Sequence, residues 1–403
     1  MEGALAGFKK GLYALFLVNL GIALSSELIM PLQPLFIQSL GASVVEVSFV
    51  LSVSGFAATA LIIPSSLMAN KYGNRTVIIL SVVFASISVL LYMIARSWVQ
   101  LFPLVIIYTV SFTVFIPARM VYIAESSLSE NRASVYGLMN VAWPLGSLTA
   151  PILAGAIVDS YGWRPVFIIA SAIMGLCLAP ALTIKEARSL SKHVEEHVND
   201  LGFKELFKTM VLLIAFHILI SLTVGLSHSL LSIYASDRFH ASTTQVGFMF
   251  SMVGLATLTA QLGAAYILKK MDLKKFLQLC LLTMAPLYAL LPFIDDLNIF
   301  TVIYAASYGL YSATWPASAT LVTMAIPSSK WNIGMGFRQT AVRLGFSLAS
   351  MIAGLLWTSL GSTSVFYLSS ILAISTITPL ILLREERLNV TTVRNREHSQ
   401  CIR

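Results

Sequence analysis

The chain is 403 residues long, 57% apolar and only 11% charged, with a mean hydropathy of +0.83 and a formal net charge of +8. So sparse a charge excludes a soluble globular domain of this size, which needs a charged surface to stay in solution. Cys177, Cys280 and Cys401 are scattered, which argues against a disulfide framework or a thiolate metal cluster.

What remains is an all-α integral membrane protein. A bilayer core of about 30 Å takes roughly 20 apolar residues per helix, and hydropathy predicts twelve spans. The first six run near 11–38, 44–69, 76–95, 99–125, 133–158 and 163–184. The second six run near 207–235, 243–268, 275–294, 297–326, 331–358 and 363–383. Lys185–Lys208 is the longest hydrophilic stretch between spans. The predicted organisation is therefore an N-terminal six-helix bundle over 1–186, a cytoplasmic linker over 187–206, a C-terminal six-helix bundle over 207–384 and a cytoplasmic tail over 385–403.

Basic residues sort by side. With the N-terminus in the cytoplasm, 20 of the 26 Lys and Arg fall on predicted cytoplasmic segments, and only Arg96, Arg164 and Arg238 lie opposite. Arg119, Arg338 and Arg343 fall inside spans. Both termini are expected in the cytoplasm of a multi-pass protein of the cell membrane. The positive charge is a topology signal, and no nucleic-acid partner is expected, because no basic face is interleaved with exposed aromatics.

The two halves repeat. A shift of 199 positions aligns 117–167 with 316–366 without a gap, giving 14 identities over 51 positions. They include Pro117/Pro316, Gly137/Gly336, Gly146/Gly345, Ala150/Ala349, Ala154/Ala353, Gly155/Gly354 and Gly162/Gly361. Shared apolar composition raises matches of Leu or Ile; it does not place Gly, Ala and Pro in register. Repeats of this kind are typical of secondary transporters, with the solute site between the halves.

Between the second and third spans stands Ser66-Leu67-Met68-Ala69-Asn70-Lys71-Tyr72-Gly73-Asn74-Arg75, and the fifth span holds Gly146-x-x-x-Ala150-Pro151-x-x-Ala154-Gly155. With Glu125, Arg132 and Gly162-Trp163-Arg164-Pro165-Val166-Phe167, these motifs resemble those of the major facilitator superfamily along nearly the whole chain. The first is similar to the family's Gly-x-Leu-Ala-Asp-Arg-x-Gly-Arg-Arg loop: Gly73 and Arg75 match, Lys71 keeps the charge, and Asn70 and Ser66 depart. In the family the acidic residue at the Asn70 position joins a charge network that holds one conformation, and Asn70 carries no charge for it. The second is similar to Gly-x-x-x-Gly-Pro-x-x-Gly-Gly, associated with proton-exchanging exporters; Ala150 and Ala154 replace glycines. Its alternative role is close helix packing through small residues. The resemblance implies two pseudo-symmetric six-helix bundles, with the first, fourth, seventh and tenth helices lining a central cavity.

Ionisable groups inside spans are costly unless paired or hydrated, so each is a functional candidate. Glu27 is the only carboxylate well inside a predicted span. It stands about 24 Å along the first helix at ~1.5 Å per residue, in the outer half, and suits proton coupling. A structural ion pair is the alternative. On the fourth span Tyr108, Ser111, Phe115, Arg119 and Tyr122 share a face, a wall for an anionic or polar solute unless Arg119 snorkels to the inner headgroups. On the seventh span His217, Ser221, Gly225, His228 and Ser232 share a stripe. His228 is a second proton-handling candidate, and His217 is either a packing group or part of the solute site. Tyr304, Tyr308, Tyr311 and Trp315 line one face of the tenth span, with Tyr311 and Trp315 placed to stack on solute. Arg343, sharing a face with Gln339, lies near mid-membrane with no carboxylate at its depth in its own half, and can hold an anion. Arg338 is expected to be shallower and interfacial.

No nucleophile elbow, zinc spacing or phosphate loop is present, so an enzyme or ATP-driven pump is not expected, nor a cofactor. The expected function is secondary active transport of a small organic solute by alternating access, as proton-coupled efflux by a monomer. The alternatives are uptake or facilitated transport of an organic anion, and a membrane receptor or scaffold without transport.

Overall fold

The structure, a computed structural model, describes residues 10–127, 132–184, 203–326 and 331–383, which are helical with no strand among them. The first half supplies α1 (Lys10–Ile29, continued by Gln33–Ser39), α2 (Val44–Ala60, continued by Ile62–Tyr72) and α3 (Asn74–Tyr92). It goes on with α4 (Trp98–Ser126), α5 (Arg132–Asn140, continued by Ala142–Tyr161) and α6 (Trp163–Leu176, continued by Leu178–Thr183). The second half supplies α7 (Phe203–His228, continued by Leu231–Phe239), α8 (Thr243–Ile267) and α9 (Leu273–Leu290). It ends with α10 (Leu297–Ala325), α11 (Trp331–Leu360) and α12 (Ser364–Ser375, continued by Ile377–Leu382).

Ten of these are long and apolar enough to cross a bilayer. The other two are α2, whose apolar segment Val44–Ala60 is cut at Leu61, and α10, a 29-residue helix with its hydropathy diluted by Tyr, Ser and Thr. The interruptions within single predicted spans have a common cause. Leu61, Val141, Cys177 and Thr376 each stand three residues before a proline, namely Pro64, Pro144, Pro180 and Pro379. A proline has no N–H for the carbonyl four residues back and crowds it, so each helix segment stops at that carbonyl. In α1 the turn between Ile29 and Gln33 contains Pro31 and precedes Pro34. Hydropathy alone does not register these breaks.

Tight reversals at Gly73, Gly162 and Gly361 take φ of 88°, 78° and 88°, where a side chain is strained. The last two are repeat partners. The duplication also reaches further than 117–167. Capping boxes open α2 (Ser43 with Glu46) and α8 (Ser242 with Gln245), again 199 positions apart, and Gly55 and Gly254 follow in register.

Two six-helix bundles result, meeting along α5 against α8 and α2 against α11. Both seams are tight only towards the end carrying the Gly162 and Gly361 turns, the face predicted to be external. A Cβ on Gly155, Gly247 or Gly254 would fall within 3 Å of backbone atoms across the α5–α8 seam, and Gly354 abuts Ser48 across α2–α11. Towards the predicted cytoplasmic end of the same helices, Gly137, Gly263 and Gly336 meet nothing within 4 Å. The continuation of α1 also touches that of α7 at the predicted external face. Residues 187–202 of the linker predicted over 187–206, and the tail over 385–403 with Cys401, lie outside the described residues.

Candidate functional site

Glu27 is half-buried on the last turn of α1 before the Pro31 break. Gly146 of α5 lets that helix approach so closely that its Cβ position lies 3.1 Å from the Ala23 backbone and 3.4 Å from Glu27 Cγ. Ser147 is the polar neighbour of the carboxylate. Tyr108 of α4 and Tyr308 of α10 lie within its electrostatic reach. Arg238–Asp295, at the exposed rim, is the only ion pair among the described residues, so Glu27 has no salt-bridge partner among them.

Tyr308 also packs against the second predicted proton-handling residue. Its ring lies 4.7 Å from that of His228, whose Nδ1 stands 3.1 Å from the Tyr304 hydroxyl. Phe250 of α8 closes on the same imidazole edge-on at 5.5 Å. The α10 stripe is continuous: ring centroids step 6.4 Å from Tyr304 to Tyr308, 5.5 Å to Tyr311 and 6.3 Å to Trp315. Tyr311 is buried, while Trp315 is 38% exposed. Tyr308 thus stands against His228 and within electrostatic reach of Glu27, 201 positions from that histidine in sequence.

Arg119 is buried within the first bundle and donates through Nη1 to Asn19 Oδ1 of α1 at 2.5 Å; Asn19 in turn donates to the Met139 carbonyl of α5 at 2.6 Å. It ties three helices together and does not snorkel. Tyr108, Ser111, Phe115 and Tyr122 are buried on the same side, with Tyr122 packed against Gly11. Replacing Arg119 with Leu is expected to cost about 1–3 kcal/mol, the penalty for stripping a donor from a buried acceptor, and Lys to recover only part. Thermal unfolding checks this; unchanged stability with lost transport would assign Arg119 to the solute.

Arg338 corrects the expectation that it is interfacial. It is buried, donates through Nη2 to Ser318 Oγ at 3.1 Å and the Trp315 carbonyl at 3.3 Å, and lies 5.3 Å from the Trp315 ring centroid. Counting residues from the helix start gives depth, but rotation about the axis decides whether a side chain faces protein, and here it turns Arg338 inward. His217, also buried, holds the Leu213 carbonyl at 2.7 Å and lines a small cleft with Arg338, Phe337 and Val322. Arg343 and Gln339 are half-buried, and the Arg343 guanidinium makes no hydrogen bond or ion pair among the described residues.

The fifth-span motif packs closely both within its bundle and across to the other. Gly146 packs within the bundle against α1, while Pro151 and Gly155 meet α8 of the other bundle; Ala150 and Ala154 are buried between. In the loop motif Gly73 makes the reversal, Arg75 donates to the Leu182 carbonyl at the end of α6 at 2.9 Å, and Lys71 covers the Tyr72 ring. The side chains of Asn70, Glu125 and Arg132 lie outside the described residues. One polar group that sequence reading passed over, Asp159 at the end of α5, grips the start of α8. A carboxylate at a helix end draws no attention in sequence, and its partners lie 84 and 85 positions away.

The model of the Major Facilitator Superfamily matches residues 15–236 and 213–400. An uncharacterised MFS-type transporter of Methanocaldococcus jannaschii is 24% identical over 91% of this chain and 96% of its own length. Multidrug resistance protein 1 of Bacillus subtilis is 25% identical over 59% of this chain and 61% of its own. Among solved structures, a POT family transporter in complex with 5-aminolevulinic acid superposes with a TM-score of 0.78 at 15% identity, covering 94% of this chain and 97% of that one.

Proposed function

We propose that this chain, which belongs to the major facilitator superfamily of membrane transporters, exports a small organic solute across the plasma membrane in exchange for protons. The observation that carries the reading is Glu27: a carboxylate without a salt-bridge partner among the described residues, packed where α5 approaches α1, with Tyr108 of α4 and Tyr308 of α10 within its electrostatic reach and Tyr308 set beside His228. An ionisable group so placed can change its charge as the bundles rock, which is what coupling requires. The name of the Bacillus relative supports efflux of organic compounds. In this reading the units 1–186 and 207–384 move as the two bodies, both termini are cytoplasmic, the protein works as a monomer, and the tight seams close the external face. Solute enters from the cytoplasmic side past Tyr108, Tyr122, Arg119, His217, Tyr311, Trp315, Gln339 and Arg343. The test is a thermal-shift screen of the purified protein against a solute library at two pH values. A stabilising ligand with a pH dependence that Glu27→Gln removes is the expected result; a ligand whose effect ignores both pH and Glu27 overturns proton coupling.

A second reading, uptake or facilitated movement of an organic anion, is favoured by Arg343, whose charge has no counter-ion among the described residues. On the first reading Arg343→Ala leaves binding of neutral and cationic compounds intact, measured by the same thermal shift. Loss confined to anions transfers the case to the second.

A further inference from the structure

The outer end of the α5–α8 seam carries the densest polar contact between the bundles. Asp159 Oδ1 accepts from the Thr243 backbone N–H at 3.1 Å and from the Thr243 hydroxyl; Oδ2 accepts from the Thr244 N–H at 2.8 Å and its hydroxyl at 2.6 Å. Thr243 and Thr244 are the first two residues of α8. Amides there have no intrahelical acceptor, and the helix dipole favours an anion beside them. Hydrogen bonds to an ionised carboxylate are roughly twice as strong as neutral ones.

An ordinary helix cap does not account for this arrangement. α8 already has its own, the reciprocal Ser242–Gln245 box. Asp159 adds a second grip that comes from the other bundle, one turn beyond the Gly155 contact. The companion seam lacks it: Thr358, which the repeat places opposite Asp159, turns its hydroxyl back to the Gly354 and Leu355 carbonyls of its own helix. The clamp is one-sided, and every bond in it runs between bodies that must part for this face to open.

We infer that Asp159 is a positioning residue of the transport cycle: its carboxylate locks the N-terminus of α8 while the outer seam is shut, and its release is a required step in opening that face. The inference rests on the alternating-access reading above. Asp159 therefore sets the balance between the two access states without touching solute.

Hydrogen–deuterium exchange on the full chain in nanodiscs tests this for wild type, Asp159→Ala and Asp159→Asn. Asp159→Ala is expected to speed exchange about tenfold, a shift of ordinary allosteric size, both at 243–250 of α8 and at 44–50 of α2. The α2 segment opens onto the other seam and makes no contact with Asp159, so it responds only if the bundles separate. Asp159→Asn, which keeps the shape and loses the charge, is expected to give the same pattern at smaller amplitude. Faster exchange confined to the start of α8 overturns the inference and leaves Asp159 a local cap; unchanged exchange at both segments overturns it too. Should Asp159→Ala not fold, Thr243→Val with Thr244→Val removes the two hydroxyl donors and is held to the same two-segment criterion. Exchange needs no solute, so the outcome stands even where the proposed export fails.

Discussion

Gly247→Ala with Gly254→Ala is expected to arrest transport with the outer face unable to close. A Cβ at Gly247 would stand 2.8 Å from the Pro151 carbonyl carbon and 2.9 Å from Ile152 Cα; one at Gly254 would stand 2.6 Å from the Ser147 carbonyl carbon. These are backbone atoms, so no rotamer change relieves the overlap. Overpacking costs about 1–3 kcal/mol per site, and positions seven residues apart, about 10 Å along a helix, add nearly independently. The double variant therefore disfavours the closed seam by about 2–6 kcal/mol, enough to empty it. Alanine's higher helix propensity stabilises both access states alike and drops out of their ratio. Transport in proteoliposomes is expected to fall at least about tenfold, while Gly137→Ala with Gly263→Ala, facing open space on the same two helices, stays near wild type. Equal losses in the two pairs would mean that the tight approach has no special part in the cycle.

The packing frame was legible because it is written twice. Gly155 and Gly354 both face the opening turn of a helix from the other bundle, Gly146 and Gly345 both face the first helix of their own bundle, and Gly162 and Gly361 both turn the chain with positive φ. Small residues in register survive where large apolar ones interchange freely, so the shift of 199 exposes the closure surfaces themselves. The candidate chemical groups stood out for a different reason: a carboxylate or imidazole in an apolar run is conspicuous, which singled out Glu27 and His228.

What sequence could not supply is pairing across the bundle axis. Leu226 stands at the repeat position of Glu27, Pro144 at that of Arg343, and Met139 at that of Arg338, so the duplication offers no template for the polar centre. Tyr308 looked like one member of an aromatic stripe until the fold set it beside His228 and within electrostatic reach of Glu27. On the proposed reading the symmetric frame rocks, and the unsymmetric side chains within it decide what is carried and at whose expense.

Glu27→Gln should therefore separate movement from coupling. The amide has the size of the acid and keeps a carbonyl for Ser147, so the approach of α5 to α1 retains its packing. It cannot exchange a proton. With one proton exchanged per solute, each pH unit across the membrane supports about tenfold accumulation, so a two-unit gradient supports about 100-fold. In Glu27→Gln that accumulation is expected to collapse to the level of the bath, while counterflow of labelled against unlabelled solute persists, because exchange needs the site and the rocking motion but no net proton movement. Loss of both activities would make Glu27 a structural or solute-binding group. His228→Asn in an otherwise intact chain divides what remains. If its accumulation persists, the gradient acts through Glu27 alone; if it also collapses with counterflow intact, the carboxylate and the imidazole share the handling of the proton.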